Sequence, residues 1–188
     1  MMIIAVDAAY GDQFAFVAGV VFDKWDDDRP GDIVTRSVSG FDKYVPGEFY
    51  RRELTGILEL LKDHRIRPDC IVVDGYVYLD GLSKAGLGKH LYDALEGKVS
   101  VIGVAKAEFK GIPDDFMIYR GRSRKPLYVT SAGVEAEQAK RWVMAMKGPY
   151  RRPKLLRLVD QVCRRLAVEG QTFIRSEWRC PPDECLLQ

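Results

Sequence analysis

Two aspartates each follow a short apolar run. Asp7 comes after Met2-Ile3-Ile4-Ala5-Val6 and Asp74 after Cys70-Ile71-Val72-Val73. Read as buried strands, both runs deliver a lone carboxylate at the C-terminal end. Burying a carboxylate is costly unless it is paired, hydrogen-bonded or metal-bound. Either aspartate alone reads as a turn former closing its strand. Two or three together form an oxygen cage for Mg²⁺, a hard cation that keeps waters for phosphate chemistry. Glu53 is a further carboxylate, in the first turns of a predicted helix, where the macrodipole favours an anion; an ordinary exposed helix residue would read the same way.

The apolar pattern predicts strands at Met2–Val6, Phe14–Phe22 and Ile33–Val38, joined by Gly11-Asp12 and by a charged loop with Pro30 and Gly31, which is an antiparallel meander. A helix over Phe49–Lys62, a strand at Cys70–Val73, a helix around Leu87–Leu95 and a strand at Val99–Val104 follow. Strand-helix-strand crossovers imply parallel pairing. A strand at Leu127–Thr130 and helices Val134–Met146 and Leu155–Ala167 complete the chain. The expectation is an α/β fold of ribonuclease H-like order, a mixed sheet of three antiparallel strands followed by parallel ones and flanked by helices. The order alone leaves other mixed α/β folds open.

The 188 residues suit one domain with a core of its own. With 29 basic and 27 acidic residues, the net charge of +2 neither requires nor excludes nucleic acid. Clusters at Arg120–Lys125 and Arg151–Arg157 could follow a phosphate backbone or be solvated loop charge. No apolar stretch approaches the ~20 residues that span a bilayer, and the N-terminus runs straight into a strand, so a cytoplasmic protein without a membrane partner is expected. Cys70, Cys163, Cys180 and Cys185 lack the paired spacing of a zinc ribbon. With only His64 and His90, nucleophilic triads are disfavoured, and no Gly-rich phosphate loop is present.

Several segments, in order, resemble the endonuclease V family. Tyr44-Val45-Pro46-Gly47 with Arg52-Glu53, Val6-Asp7-Ala8-Ala9-Tyr10 and Val73-Asp74-Gly75 look like its motifs. So do Gly103-Val104-Ala105-Lys106, Lys125-Pro126-Leu127-Tyr128-Val129, and Tyr150-Arg151-Arg152-Pro153 with Arg157-Leu158-Val159-Asp160. The resemblance implies a ribonuclease H-like, Mg²⁺- or Mn²⁺-dependent endonuclease that cuts DNA or RNA near a deaminated purine, over residues 1–170, with 171–188 as a tail. It makes Asp7, Glu53 and Asp74 metal-binding carboxylates and Asp160 a fourth acidic contributor. It also gives Lys106 a role at the scissile phosphate, where the bare sequence would equally allow a lysine snorkelling from a strand end. Tyr44 and Pro46 match a wedge that fills the gap left by a flipped base. Gly75 and Tyr76 fall in the loop that shapes the base pocket, and Arg124 and Lys125 precede the proline strand as substrate contacts. A monomer is expected.

The chain departs from the family after Asp74. Where glycine, any residue, glycine and then histidine-proline are usual, it reads Gly75-Tyr76-Val77-Tyr78-Leu79-Asp80-Gly81. Asp80 could be an extra ligand, a general base or a turn residue, and Tyr76 and Tyr78 could stack on a base or pack on the sheet. His90 matches a family helix histidine and reads as structural. Two alternatives therefore stand beside an inosine-directed nuclease: the same chemistry with another specificity, and a nucleic-acid-binding module without turnover.

Overall fold

The computed structural model describes residues 1–10, 14–39 and 49–169. The meander is β1 (Ile3–Tyr10), β2 (Phe14–Phe22) and β3 (Asp32–Ser39), followed by α1 (Phe49–Asp63), β4 (Cys70–Val73), α2 (Leu87–Ala94) and β5 (Ser100–Ala105). A short 3₁₀ turn leads into β6 (Met117–Ile118), β7 (Leu127–Ala132), α3 (Ala136–Ala145) and α4 (Lys154–Glu169). Seven strands form one sheet in the order β3-β2-β1-β4-β5-β7-β6. Among them β4 runs parallel to both β1 and β5, as helical crossovers require.

The last two strands differ from the expected parallel continuation. β7 pairs antiparallel with β5, and β6 antiparallel with β7. Only a 3₁₀ turn and loops separate β5 from β6, so no crossover helix carries the chain back for parallel pairing. The two-residue β6 is too short to leave a period in the sequence. Otherwise the mixed sheet is the one the periodicity predicts.

Helices cover both faces of the sheet, which is why its central strands read as unbroken apolar runs. On one face Ile3, Ala5, Val72, Ile102 and Val104 meet Val143 of α3 and Val159 and Cys163 of α4. On the other, Ile4, Val6, Ile71, Val73 and Val101 meet Ile57 and Leu60 of α1 and Leu91 of α2. The loop after β4 folds back onto β5 at Gly103. A Cβ there would lie 2.6 Å from the Gly75 carbonyl oxygen and 2.7 Å from the Val77 nitrogen. Both neighbours are backbone, so Gly103→Ala is expected to destabilise the protein by about 2–3 kcal/mol. The readout is a lower denaturation midpoint; an unchanged midpoint would mean that the loop yields freely.

Candidate active site

Strand register brings the two aspartates together. The parallel ladder between β1 and β4 ends at Val6 opposite Val73, and Val73 in turn lies opposite Gly103. Asp7 and Asp74 are thus the first residues past the ladder, side by side. β1 continues to Tyr10 paired with β2, so Asp7 lies just past the parallel ladder but within its own strand, contrary to the strand boundary expected at Val6. Side chains alternate along a strand. Ile3 and Ala5, Cys70 and Val72, and Ile102 and Val104 all face α4, and the same parity continues through Asp7, Asp74 and Lys106. On α4, Asp160 completes the group: Asp7, Asp74 and Asp160 each place a carboxylate oxygen within 4.8 Å of the other two. Lys106 Nζ is ion-paired with Asp74 and lies 3.8 Å from Asp160 Oδ1.

Glu53 arrives from the opposite face. It stands outside the trio, and with Asp7, Asp74 and Leu87 it lines an open cleft of about 210 Å³. The helix spacing that buries Ile57 and Leu60 against the sheet sets Glu53 one turn earlier, over the strand ends.

The electrostatics of the cleft are those of carboxylates crowded out of water. Burial first, and then the Asp74 charge, push the Asp7 carboxyl up to about 7; the Asp160 charge adds, while the Ala8 N–H and Lys106 oppose. Burial, then Asp7, then Asp74 push Glu53 up to about 8. Both groups bind protons more tightly folded than unfolded. Their contribution to stability is therefore fullest below their ordinary values of 3.8 and 4.5 and is lost as pH rises through 7 and 8. The melting temperature of cation-free protein is expected to fall between about pH 5 and pH 8.5, and Mg²⁺ should remove most of that fall. A flat profile in EDTA would contradict the crowding. Asp160 titrates outside this window: burial raises its carboxyl, but the hydrogen bond and charge of Arg152, the Lys106 charge and the Arg164 hydrogen bond hold it below its ordinary value.

A second set of groups fixes the loop before α4. Arg120 is buried and donates to the Met146, Tyr150 and Arg151 carbonyls. Arg151 in turn donates to the Lys106 carbonyl at 3.3 Å and the Pro126 carbonyl at 3.2 Å. Arg120 thus acts as an internal clamp and is separated from the exposed Arg124 and Lys125 with which the sequence grouped it. Only its burial reveals this. Asp160 receives Arg152 Nη1 at 3.2 Å and Arg164 Nε at 3.1 Å. Arg164 is not among the residues that the sequence singles out, although its i+4 spacing from Asp160 is the usual signal of a helix ion pair.

The loop after Asp74 is tightly ordered. Tyr76 is buried against Ala105, Ile112 and Tyr128. Its hydroxyl donates to the Ala107 carbonyl at 2.7 Å and accepts from the Phe109 N–H at 3.2 Å, so it packs on the sheet. Val77 is fully buried, its N–H bonded to Thr130 Oγ1 at 2.8 Å. Asp80 accepts from the backbone N–H groups of Leu82, Ser83 and Lys84 and from the Ser83 hydroxyl, which makes it a turn residue. At Gly81 φ is +88° and a Cβ would strike the Phe116 ring, so the turn needs glycine. His90 stacks on Tyr50 with centroids 4.0 Å apart. Tyr44 and Pro46, like Cys180 and Cys185, lie outside the described residues.

Among the described residues no helix is long and apolar enough to cross a membrane. A family model described as Endonuclease V matches residues 1–117, a span that holds Asp7, Glu53, Asp74 and Lys106 and ends before Asp160. The solved endonuclease V from Streptomyces avermitilis is 26% identical and superposes with a TM-score of 0.71, covering 92% of this chain and 83% of that one. The Bacillus subtilis structure is 22% identical, with a TM-score of 0.75 and coverage of 90% and 82%. Ciona intestinalis endonuclease V, in complex with a 24mer DNA containing an inosine followed by a ribo-adenosine, is 18% identical, with a TM-score of 0.72 and coverage of 90% and 87%. These likenesses show the ribonuclease H-like fold. A comparison with curated proteins finds no match.

Proposed function

The chain belongs to the endonuclease V family, and on that premise we propose that it is a Mg²⁺- or Mn²⁺-dependent endonuclease cutting a DNA or RNA strand beside a deaminated purine such as inosine. The observation that carries this reading is the convergence of Asp7, Asp74 and Asp160 within 4.8 Å, with Glu53 across the same cleft. The donor set fits a divalent cation: it is all oxygen, and it includes two carboxylates whose charged form is disfavoured first by burial and then by neighbouring carboxylates, both of which a bound cation would offset. Asp7, Glu53 and Asp74 would hold the ion, with Asp160 contributing. When bound, it supplies activation of the attacking water and neutralisation of charge on the phosphate and on the leaving 3′-oxygen.

The chain's own residues set up the rest. Asp7 is oriented by the Ala8 N–H at 2.8 Å. Lys106, held at Asp74, can place its ammonium on a phosphate oxygen as negative charge grows there. Water is the nucleophile, the bond from phosphorus to the 3′-oxygen breaks, and the products carry a 3′-hydroxyl and a 5′-phosphate. Arg124 and Lys125, exposed before β7, would contact the backbone, Gly75 and Tyr76 would shape the pocket, and Tyr44 and Pro46 would form the wedge. The protein would act as a monomer in the cytoplasm, with residues 1–170 as the nuclease domain.

A specific observation favours a second reading of specificity. Asp80 spends its acceptors within its own turn, and Val77 fills the space beneath Gly88, where the ideal Cβ would lie 2.7 Å from Val77 Cγ2. The loop is thus closed where the family usually has glycine and histidine. A panel of DNA and RNA strands carrying one inosine, or adenine in its place, separates the readings. Preferential nicking beside inosine supports the first, and equal nicking of both strands supports the second. Binding without any cleavage would support a non-catalytic module.

A further inference from the structure

From residue 147 to residue 168 the chain carries Lys147, Arg151, Arg152, Lys154, Arg157, Arg164 and Arg165 against a single carboxylate, Asp160. This stretch lies beyond the span matched by the family model, which ends at residue 117. Several of these cations are already engaged. Arg151 holds the Lys106 and Pro126 carbonyls, Lys154 reaches Asp28 at 2.9 Å, and Arg157 sits 4.6 Å over the exposed Tyr150 ring. Arg152 and Arg164 differ. Each spends one N–H on Asp160, one per carboxylate oxygen, and a guanidinium has five. Among the described residues neither makes another hydrogen bond or ion pair to protein, and the Arg164 side chain is 71% exposed.

Asp160 thus carries two guanidiniums, plus Lys106 at 3.8 Å, one side chain away from Asp7 and Asp74. With Lys106 paired to Asp74, the single charge of Asp160 still faces two guanidiniums and can neutralise only one of them. The surplus positive charge and the remaining N–H donors lie on the α4 flank of the cage, and Arg157, Asp160 and Arg164 recur at helical spacing along one stripe that continues it. A phosphodiester suits this surplus, since guanidinium forks match phosphate oxygens in pairs.

We propose that Arg152 and Arg164, braced on Asp160, form a seat for a backbone phosphodiester of the substrate strand next to the one being cut. This deepens the nuclease reading and rests on it. In the seat Asp160 keeps both guanidiniums fixed, and they bind phosphate without leaving it.

The test measures binding of short single-stranded DNA and RNA in EDTA, so that neither cleavage nor a cation intervenes, over a range of salt. The variants are Arg152→Gln and Arg164→Gln, which keep a donor for Asp160, the charge-retaining Arg152→Lys and Arg164→Lys, and Arg67→Gln as a charge-matched control ahead of β4. Each Gln variant is expected to flatten the slope of log affinity against log salt by about 0.7, the value for one single-strand phosphate contact. The Lys variants and Arg67→Gln should keep the wild-type slope. A seat on one kind of strand only would flatten the DNA or the RNA slope alone. Unchanged slopes in both Gln variants would overturn the seat, and weaker Mn²⁺ binding alongside them would assign the arginines to orienting Asp160 instead. Wild-type protein that bound neither strand would overturn the nuclease reading together with the seat, whereas binding that the variants share overturns the seat alone.

Discussion

Asp7→Asn is expected to cut strand cleavage by about 10³-fold while raising the melting temperature of the cation-free protein by about 3 °C. The two effects have one cause. Asp7 is buried beside Asp74 and Asp160, and its proton affinity is raised to about 7 because its charge is poorly tolerated there. Removing that charge relieves first the cost of burying it and then the repulsion from Asp74, and Glu53, which Asp7 also raises, relaxes with it. The same change would delete an oxygen donor of the proposed cation cage. Thermal melts with and without Mg²⁺ complete the test: the cation should stabilise wild type strongly and the variant weakly. A variant that cleaved within tenfold of wild type, or that melted lower in EDTA, would contradict this assignment.

Lys106→Met is expected to lower cleavage by about 10²–10³-fold without weakening Mn²⁺ binding. Lys106 continues the face of β5 that bears Ile102 and Val104, its carbonyl is held by Arg151, and its ammonium pairs with Asp74. In the cation-free protein it is the positive group nearest the trio. Removing it frees a carboxylate oxygen, so affinity for Mn²⁺ should hold or rise. The electrostatic help it would give to a charged phosphate would be lost. Single-turnover cleavage and direct Mn²⁺ titration of the same protein read the two effects apart. Parallel losses in both would make Lys106 a structural support of the cage.

Much of this site could be read from the chain because strands have a strict period. Apolar runs that end in Asp7 and Asp74, with Lys106 past a third run, fix which residues leave the core, and the two crossovers set β1, β4 and β5 side by side. Once the register is known, alternation alone puts all three polar groups on the α4 face. What local pattern could not supply was long-range contact. The antiparallel return of β7 depends on a missing crossover helix, and the two-residue β6 has no period to detect. Arg120 looked like surface charge because burial of a guanidinium by three distant carbonyls leaves no trace in nearby sequence. Asp80 stood at a family histidine position, yet its neighbours Ser83 and Gly81 already spelled a turn that satisfies it locally. Tyr76 was open between stacking and packing, and the choice was made by Ala107 and Phe109, some thirty residues on.

The most direct test of the central claim is cleavage of an end-labelled strand carrying one inosine by wild type and by Asp74→Ala, each with Mg²⁺, with Mn²⁺ and with EDTA. The account predicts a single nick near the inosine, leaving a 3′-hydroxyl and a 5′-phosphate, made by wild type with either cation and lost both in EDTA and in the variant. Cleavage that survives in EDTA, or in folded Asp74→Ala, would contradict a nuclease built on the Asp7–Asp74–Asp160 cage.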